Sequence, residues 1–319
     1  MSGDGTPRVS VVIVSWNGAD DVAACLASVS APGREVIVVD NASSDGSADI
    51  VRTRFPDAVL LRNPANLGFA RAANRGLAAA RAESVLFLNP DARANDGAID
   101  AALGVLAERP DVGLVSVAVR DEAGALVPTV EPFFSLGALV RSAGRGRATA
   151  PAGPGPVAVD WCHGAFLLGR RDQLRALGGF DERFFLYAED MDLCLRMYES
   201  GRSVVYLPRV AIVHRGNASG AVLLGERRPA AIFASQLAFY ERRRGRAAVL
   251  ALRAAAALFF GARAAALRAT GSARAGRYAA LCRVAALGPE AGPLASRPVE
   301  PHAESTAGAV PAPGARSAR

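Results

Sequence analysis

Four runs in the first hundred residues are almost wholly apolar and rich in β-branched side chains: VSVVIVSW (9–16), EVIVVD (35–40), AVLLR (58–62) and the start of SVLFLNPD (84–91). Between them, apolar residues recur at helical spacing over 20–29, from Ala48 onward, and through NLGFARAANRGLAAAR (66–81). Continuous apolar strands alternating with helices are what a parallel sheet covered on both faces requires, so the pattern predicts a doubly wound, mostly parallel α/β fold. In such a sheet ligands bind beyond the carboxyl ends of the strands. Those ends carry Asn17, then Asp40 and Asn41, then Asn66 with Gly68, then Asn89 and Asp91. A single short polar residue after a strand is ordinary turn chemistry, whereas four such ends in succession point to a binding rim.

The stretch FFLYAEDMDLCLRMYESG (184–201) changes the pattern. Met191, Leu195 and Tyr198 repeat at i, i+4 and i+7, Leu193 pairs with Met197, and Gly201 stops the run, which predicts a helix from Asp190. At about 100° per residue, Asp192, Arg196 and Glu199 share a polar stripe, expected to be a solvated, ion-paired face. Asp190 falls on the opposite, apolar arc, beside Leu193, Cys194 and Met197, where the helix start leaves backbone N–H groups unpaired. A carboxylate there is either a helix cap or a working group.

Composition adds an appendage to this body. The chain has 319 residues, 51% of them hydrophobic, enough for one catalytic-size domain with a tail. Its net charge of +7 is local: residues 241–283 hold ten arginines against one acid, leaving the remainder at about −2. No nucleic-acid partner is therefore expected. Region 241–286 reads as basic amphipathic helix, one piece or two joined at 270–272, with Arg246, Arg253, Arg263, Arg268, Arg274 and Arg277 on about half the circumference. Such a helix suits either an anionic membrane surface or packing against the body. Those arginines also argue against a membrane-spanning helix. Residues 1–8 and 287–319 are expected to be disordered, and the glycine-containing segments 131–156 and 216–226 to be loops over the site. Cys25, Cys162, Cys194 and Cys282 form no C-x-x-C pair and read as reduced core thiols, which with an N-terminus lacking an apolar signal region predicts a cytoplasmic protein, peripheral at the inner face of the plasma membrane at most. No G-x-G-x-x-G follows the first strand and no P-loop occurs, which argues against a dehydrogenase or an ATPase.

Seven motifs, in order, carry a resemblance: VVIVSWNG, VIVVDNASSDGS, NLGFARAANRG, LFLNPD, WCHGAFLLGRR, GGFDERFFLYAEDMDLCLRMYESG and IVHRGNASG. Over 9–220 the chain resembles a family 2 glycosyltransferase of the rhamnosyltransferase-like branch. The resemblance implies a GT-A fold over 9–240. It also implies inverting transfer of a sugar from a nucleoside diphosphate donor, dTDP-rhamnose or another such nucleotide sugar, to an acceptor hydroxyl on a glycan or lipid-linked molecule. By the same resemblance Asp40 would recognise the base or ribose, and Asn66, Gly68 and Asn74 would line the donor pocket, with Asn17, Asn41 and Asn89 at the same rim. Asn89 and Asp91 occupy the place of the family's DxD motif. Asp91 and His214 would hold a divalent ion, Mg or Mn, with Asn89 supplying a carbonyl in place of a charged ligand. Asp190 matches the catalytic base of the ED pair, Glu189 would orient its neighbours or contact the acceptor, and His163 lies in the acceptor-side segment. Two other readings stand beside this one. A catalytically silent nucleotide-sugar-binding or scaffold protein of the same fold is opposed by the intact Asp40, Asp91 and Asp190. A nucleotidyltransferase is opposed by SWNGADD, which is not the glycine- and arginine-rich loop such enzymes carry after the first strand.

Overall fold

The computed structural model describes residues 7–139, 151–216 and 223–295. Strand β1 (Val9–Ser15) is buried along its whole length and pairs in parallel with β2 (Arg34–Asp40) and β4 (Ser84–Leu88), while β2 pairs in parallel with β3 (Val59–Arg62). Helices α1 (Ala19–Val29), α2 (Ser47–Arg54) and α3 (Phe69–Ala79) make the crossovers. The chain continues through β5 (Ala92–Arg93), α4 (Asp96–Glu108), β6 (Val112–Arg120), the short strands β7 (Leu126–Val127), β8 (Val130–Glu131), β9 (Val157–Ala158) and β10 (Trp161–Cys162), then β11 (Phe166–Arg170), α5 (Arg171–Ala176), α6 (Glu189–Glu199) and β12 (Ser203–His214). The main sheet runs β3-β2-β1-β4-β11-β6-β12-β5. It is mostly parallel, as the apolar runs predict, with β11 antiparallel to both of its neighbours.

Alternation along each strand fills two cores. Val12, Val14, Ile37, Val39 and Phe87 face α3 and α6 on one side; Val11, Ile13, Val38 and Leu86 face α1 and α4 on the other. Close approach is built in at Gly76 of α3, where an added Cβ would stand 2.3 Å from Val12 Cγ1. The four cysteines are free; burial pushes the Cys162 thiol up to about 12 and raises those of Cys25 and Cys194 as well, so these serve as apolar core residues.

Three helices follow the sheet: α7 (Arg228–Arg243), α8 (Arg246–Ala269) and α9 (Ala275–Leu287), closed by a 3-10 turn at Pro289–Ala291. The expected domain edge at 240 falls inside α7. That helix serves two bodies, since Phe239 joins the sheet's core while Phe233, Leu237 and Tyr240 pack with Leu252, Phe260 and Leu281. Order also extends beyond 287, because Gly292 is pressed against Ala234. The rest of the expected tail (296–319), most of the N-terminal segment (1–6) and parts of the two expected site loops (140–150, 217–222) lie outside the described residues.

The polar stripe of α6 departs from expectation in its surroundings. The Asp192–Arg196 pair is present, with Arg196 Nε donating to Asp192 Oδ2 at 2.6 Å, but Asp192 is only 3% exposed. Its second oxygen accepts from Arg243 of α7 at 2.8 Å, and Arg243 also donates to both oxygens of Glu199 at 2.7 Å. At Asp192 the stripe faces another helix, while the side chain of Glu199 at its far end is 53% exposed. A buried carboxylate left without its cation costs about 3–5 kcal/mol, and since Arg196 would still pair, Arg243→Ala is expected to lower unfolding free energy by about 2–3 kcal/mol in urea denaturation. Removing the exposed pair Arg93–Glu122 through Arg93→Ala should cost about 0–1 kcal/mol. Equal losses in the two variants would refute the buried clamp.

Candidate active site

Among the described residues four non-glycine residues have positive φ, and all four stand on the rim of the sheet or on the loop that enters α6: Asn17 (49°), Ala42 (64°), Tyr187 (70°) and Ala188 (68°). Such conformations are unfavourable for L-residues and persist only where the surroundings over-determine them. At Asn17 the side-chain oxygen accepts from Ser44 N–H at 2.9 Å and its own N–H donates to Ser43 Oγ at 3.0 Å, tying the end of β1 to the turn after β2. Asp40, 1% exposed at the end of β2, accepts from Ser43 N–H and Arg62 Nε at 3.3 and 3.4 Å. Ala42, Ser43, Arg62, Asn63 and Pro64 line a shallow open cleft alongside it.

A more enclosed cleft is lined by Asn41, Asn66, Gly68, Asn89 and Asp91 together with Trp16, Phe185, Leu186 and Leu223. Five of the predicted rim residues thus meet in one cleft that combines polar groups with apolar walls. Asn41 is the hub of its wall. Its Nδ2 donates to Asn66 Oδ1 (2.9 Å) and Gly68 O (3.2 Å), and its Oδ1 accepts from Asn63 Nδ2 (2.9 Å) and Leu67 N–H (3.0 Å). Gly68, at φ +84°, lets the backbone reach the loop before α6: an added Cβ would lie 2.4 Å from Phe185 O, which accepts from Phe69 N–H at 2.8 Å. Asn74 sits elsewhere. Its amide is engaged by Phe180 N–H and O at 2.8 and 2.9 Å and by Glu182 at 3.0 Å, so it anchors the 178–182 segment and is not among the residues lining the cleft.

On the far wall, register does the placing. After β4 the turn Asn89–Pro90–Asp91 leads into β5, which pairs antiparallel with the end of β12 so that Ala92 lies opposite His214. Asp91 Oδ1 and His214 Nε2 are consequently 2.9 Å apart, and Asn89 Nδ2 is 3.3 Å from the same ring nitrogen. Both Asp91 (7%) and His214 (12%) are nearly buried. One carboxylate, one imidazole and one amide suit a Mn- or Mg-like ion, although among the described residues no group of three His, Cys, Asp or Glu side chains gathers, so a ligand's own oxygens would have to complete any such shell.

The first turn of α6 follows the 185–186 segment of the cleft wall, although neither Glu189 nor Asp190 is among the residues lining the cleft. Asp190 Oδ1 accepts from Met191 N–H at 2.8 Å and Oδ2 from Gly164 N–H at 2.9 Å. Burial raises its pKa, while the charge of nearby His163 and the two N–H donors pull partly the other way. Glu189 is 6% exposed, and its Oε2 is buried with no hydrogen-bond partner. Burial pushes its carboxyl well above the usual range, and the neighbouring Asp190 charge adds to the shift. His163 stacks on Trp161 with ring centroids 4.8 Å apart and stands 3.5 Å from Glu131 Oε1. The sequence reading passed over Trp16, Phe185, Leu186 and Leu223, apolar residues beside polar ones in or near the quoted motifs, and the Gly164 N–H, which no side-chain pattern reveals.

This arrangement has known counterparts. The chain is 31% identical over 234 residues, 66% of its length and 76% of the relative's, to the N-acetylglucosaminyl-diphospho-decaprenol L-rhamnosyltransferase of Mycobacterium tuberculosis. It is 33% identical to the pre-mycofactocin glycosyltransferase of the same organism, over 67% of this chain but 44% of that one. Among solved structures it resembles the mannosyltransferase PcManGT from Pyrobaculum calidifontis in complex with GDP-Man and Mn2+, with a TM-score of 0.54 and 22% identity over 88% of this chain and 87% of that one, a likeness of fold. Residues 10–176 match the family described as Glycosyl transferase family 2. With that match across half the chain, a rhamnosyltransferase relative along two thirds of it, and a GT-A neighbour for the fold, the protein is a family 2 glycosyltransferase.

Proposed function

We propose that this enzyme transfers a sugar, with inversion, from a nucleoside diphosphate donor to a hydroxyl of a glycan or lipid-linked acceptor, using Asp190 as the base. The observation that carries the proposal is the setting of Asp190: a carboxylate of raised basicity, held by two backbone N–H groups at a helix start. Both bonds orient it without supplying a proton it must compete with. The acceptor O–H gives its proton to Asp190 as its oxygen bonds to the anomeric carbon, and the bond from that carbon to the diphosphate oxygen breaks, leaving both electrons on the diphosphate. Asp40 and Arg62 flank the shallow cleft where the nucleoside would lie, and the Asn41–Asn66–Gly68 wall would hold the donor. A divalent ion held by Asp91 and His214, with Asn89 beside them, would offset charge on the leaving diphosphate. The relative's name motivates a rhamnose donor and a polyprenyl-diphosphate-linked acceptor.

Asp190→Asn keeps the shape and removes the proton acceptor. It is expected to lower kcat by about 10²–10⁴-fold while leaving donor affinity within a factor of about two. In the wild-type enzyme the acidic limb of the pH–rate profile should lie above the ordinary aspartate value of 3.8, since burial raises this carboxyl. Undiminished transfer by the variant would remove Asp190 from the mechanism. Donor binding by the wild type with no transfer to any acceptor extract would indicate a silent binding protein.

Glu189, buried with its Oε2 unpartnered, is assigned the neutral form, next to a base that must ionise. Below the ordinary glutamate value of 4.5, folded and unfolded chains both carry this proton and it has no effect on stability. Above that value the unfolded chain ionises while the folded chain keeps its proton, so the fold loses up to about 1.4 kcal/mol per pH unit until the raised folded value is reached. Glu189→Gln abolishes that loss. The variant's stability relative to wild type, from urea midpoints, is expected to climb as pH rises from mildly acidic to neutral; a gap independent of pH would rule out the neutral carboxyl.

A further inference from the structure

Helix α8 spans 24 residues with a mean hydropathy of 1.6 in its most apolar window, long and apolar enough to cross a bilayer despite its arginines, yet only 28% of that window is buried. Its body-facing side is Leu252, Ala256, Phe260 and Ala264. At about 100° per residue the opposite face consists of Ala247, Ala251, Ala254, Leu258, Ala262, Ala265 and Ala269, with Leu250 and Arg268 together at one edge of it. Leu250 is 63% exposed and Leu258 77%, and Leu287 at the end of α9 is 62% exposed; these are three of the five exposed large hydrophobic residues among the described residues. Of the six arginines expected on the basic face, Arg246, Arg263, Arg268, Arg274 and Arg277 are exposed and Arg253 is not. Arg253 turns inward to donate to Ala285 O and Ala286 O, and Arg263 lies over the Tyr278 ring at 5.3 Å. Arg246 and Arg268 are exposed and flank the apolar stripe.

We propose that this outer face of α8 seats the enzyme on an anionic lipid surface, lying in the plane of the interface. An apolar stripe edged by arginines is the arrangement by which an amphipathic helix enters the headgroup boundary, its leucines inserted and its guanidinium groups held at phosphate level. Charge selects this occupant over a second copy of the chain. From residue 242 to 289 there is no Asp or Glu, so two such faces brought together would oppose arginines with no acid to offset them, whereas anionic headgroups supply the counter-charge. The proposal goes beyond the transfer reaction, and its test does not depend on activity.

The full-length protein is mixed with vesicles of phosphatidylcholine alone, or containing about 30 mol% phosphatidylglycerol, and floated on a density gradient. Binding is expected to the anionic vesicles and to fall by about tenfold or more in the Leu250→Glu, Leu258→Glu double variant, with unchanged helix content and thermal midpoint. In a separate Leu258→Trp variant, brominated lipid should quench the new indole's emission on binding, which reports insertion without adding charge. No flotation of the wild type, equal flotation of the double variant, or an unquenched indole would each overturn the proposal. Self-association of the wild type in sedimentation, lost in the double variant without any vesicle binding, would assign the face to a second copy instead.

Discussion

The carboxylate of Asp192, caged between two guanidinium groups, is the constraint on which the geometry of the site depends. It lies one half-turn beyond Asp190 on α6 and fixes that helix from two directions, through Arg196 on the same helix and Arg243 on α7. Arg196 does more than neutralise it, because its other nitrogens donate to Leu177 O and Gly179 O at 2.8 Å, holding the segment that precedes the catalytic loop. That segment is bound in turn to α3 through Asn74, and the start of α3 meets the catalytic loop again at Phe69 N–H and Phe185 O. The closed circuit of α6, the 177–180 turn, α3 and the 185–188 loop ties Asp190 to the Asn41–Asn66–Gly68 wall. With Asp192 unpaired, the cost of a buried charge would be met by moving the helix, and the base would move with it.

Within that frame, two opposing influences act on the first turn of α6. A helix start favours ionised carboxylates, and desolvation disfavours them. For Asp190 the two N–H donors moderate the effect of burial without cancelling it, which leaves a base stronger than a free aspartate yet able to ionise. Glu189 has no such donor on Oε2, so desolvation dominates and the adjacent Asp190 charge reinforces it. Two neighbouring acids are therefore both shifted upward, Glu189 the further, for a reason visible in their hydrogen bonds. At the cleft, the Asp91–His214 contact arises from strand register alone, so a one-residue slip of β5 against β12 would part the pair.

Much of this was legible in the sequence, and what was missed has a common cause. Strands β1 to β4 and the helices between them follow from period and composition, and five of the predicted rim residues line a single cleft. The antiparallel insertion of β11 left no local mark, since Phe166–Arg170 reads as a buried strand in either direction. Asp192 was placed on a polar stripe correctly and in water wrongly, because its second partner lies 51 residues away on a helix that periodicity cannot dock. Asn74 shows the same limit. It belongs to the motif that lines the rim, but its amide serves the backbone of a segment more than a hundred positions downstream. Pattern reading identifies which arc of a helix is polar; which neighbour that arc meets is a tertiary fact.

Helix α8 takes this one step further, since an alanine-rich helix with sparse arginines has no single apolar arc for periodicity to find. Small side chains let either side pack, and the choice falls to the larger anchors, Phe260 and Leu252, which take the inner face and leave Leu250 and Leu258 outside. The consequence reaches the active site through α7. That helix begins where Arg228 Nε donates to the Tyr187 hydroxyl, passes Ser235, whose hydroxyl donates to Leu186 O, and ends at Arg243 in the Asp192 cage. The element on which α8 and α9 are built is thus the one that braces the catalytic loop along its length. Through α7 the outer helices are tied to the loop that leads into α6 and Asp190.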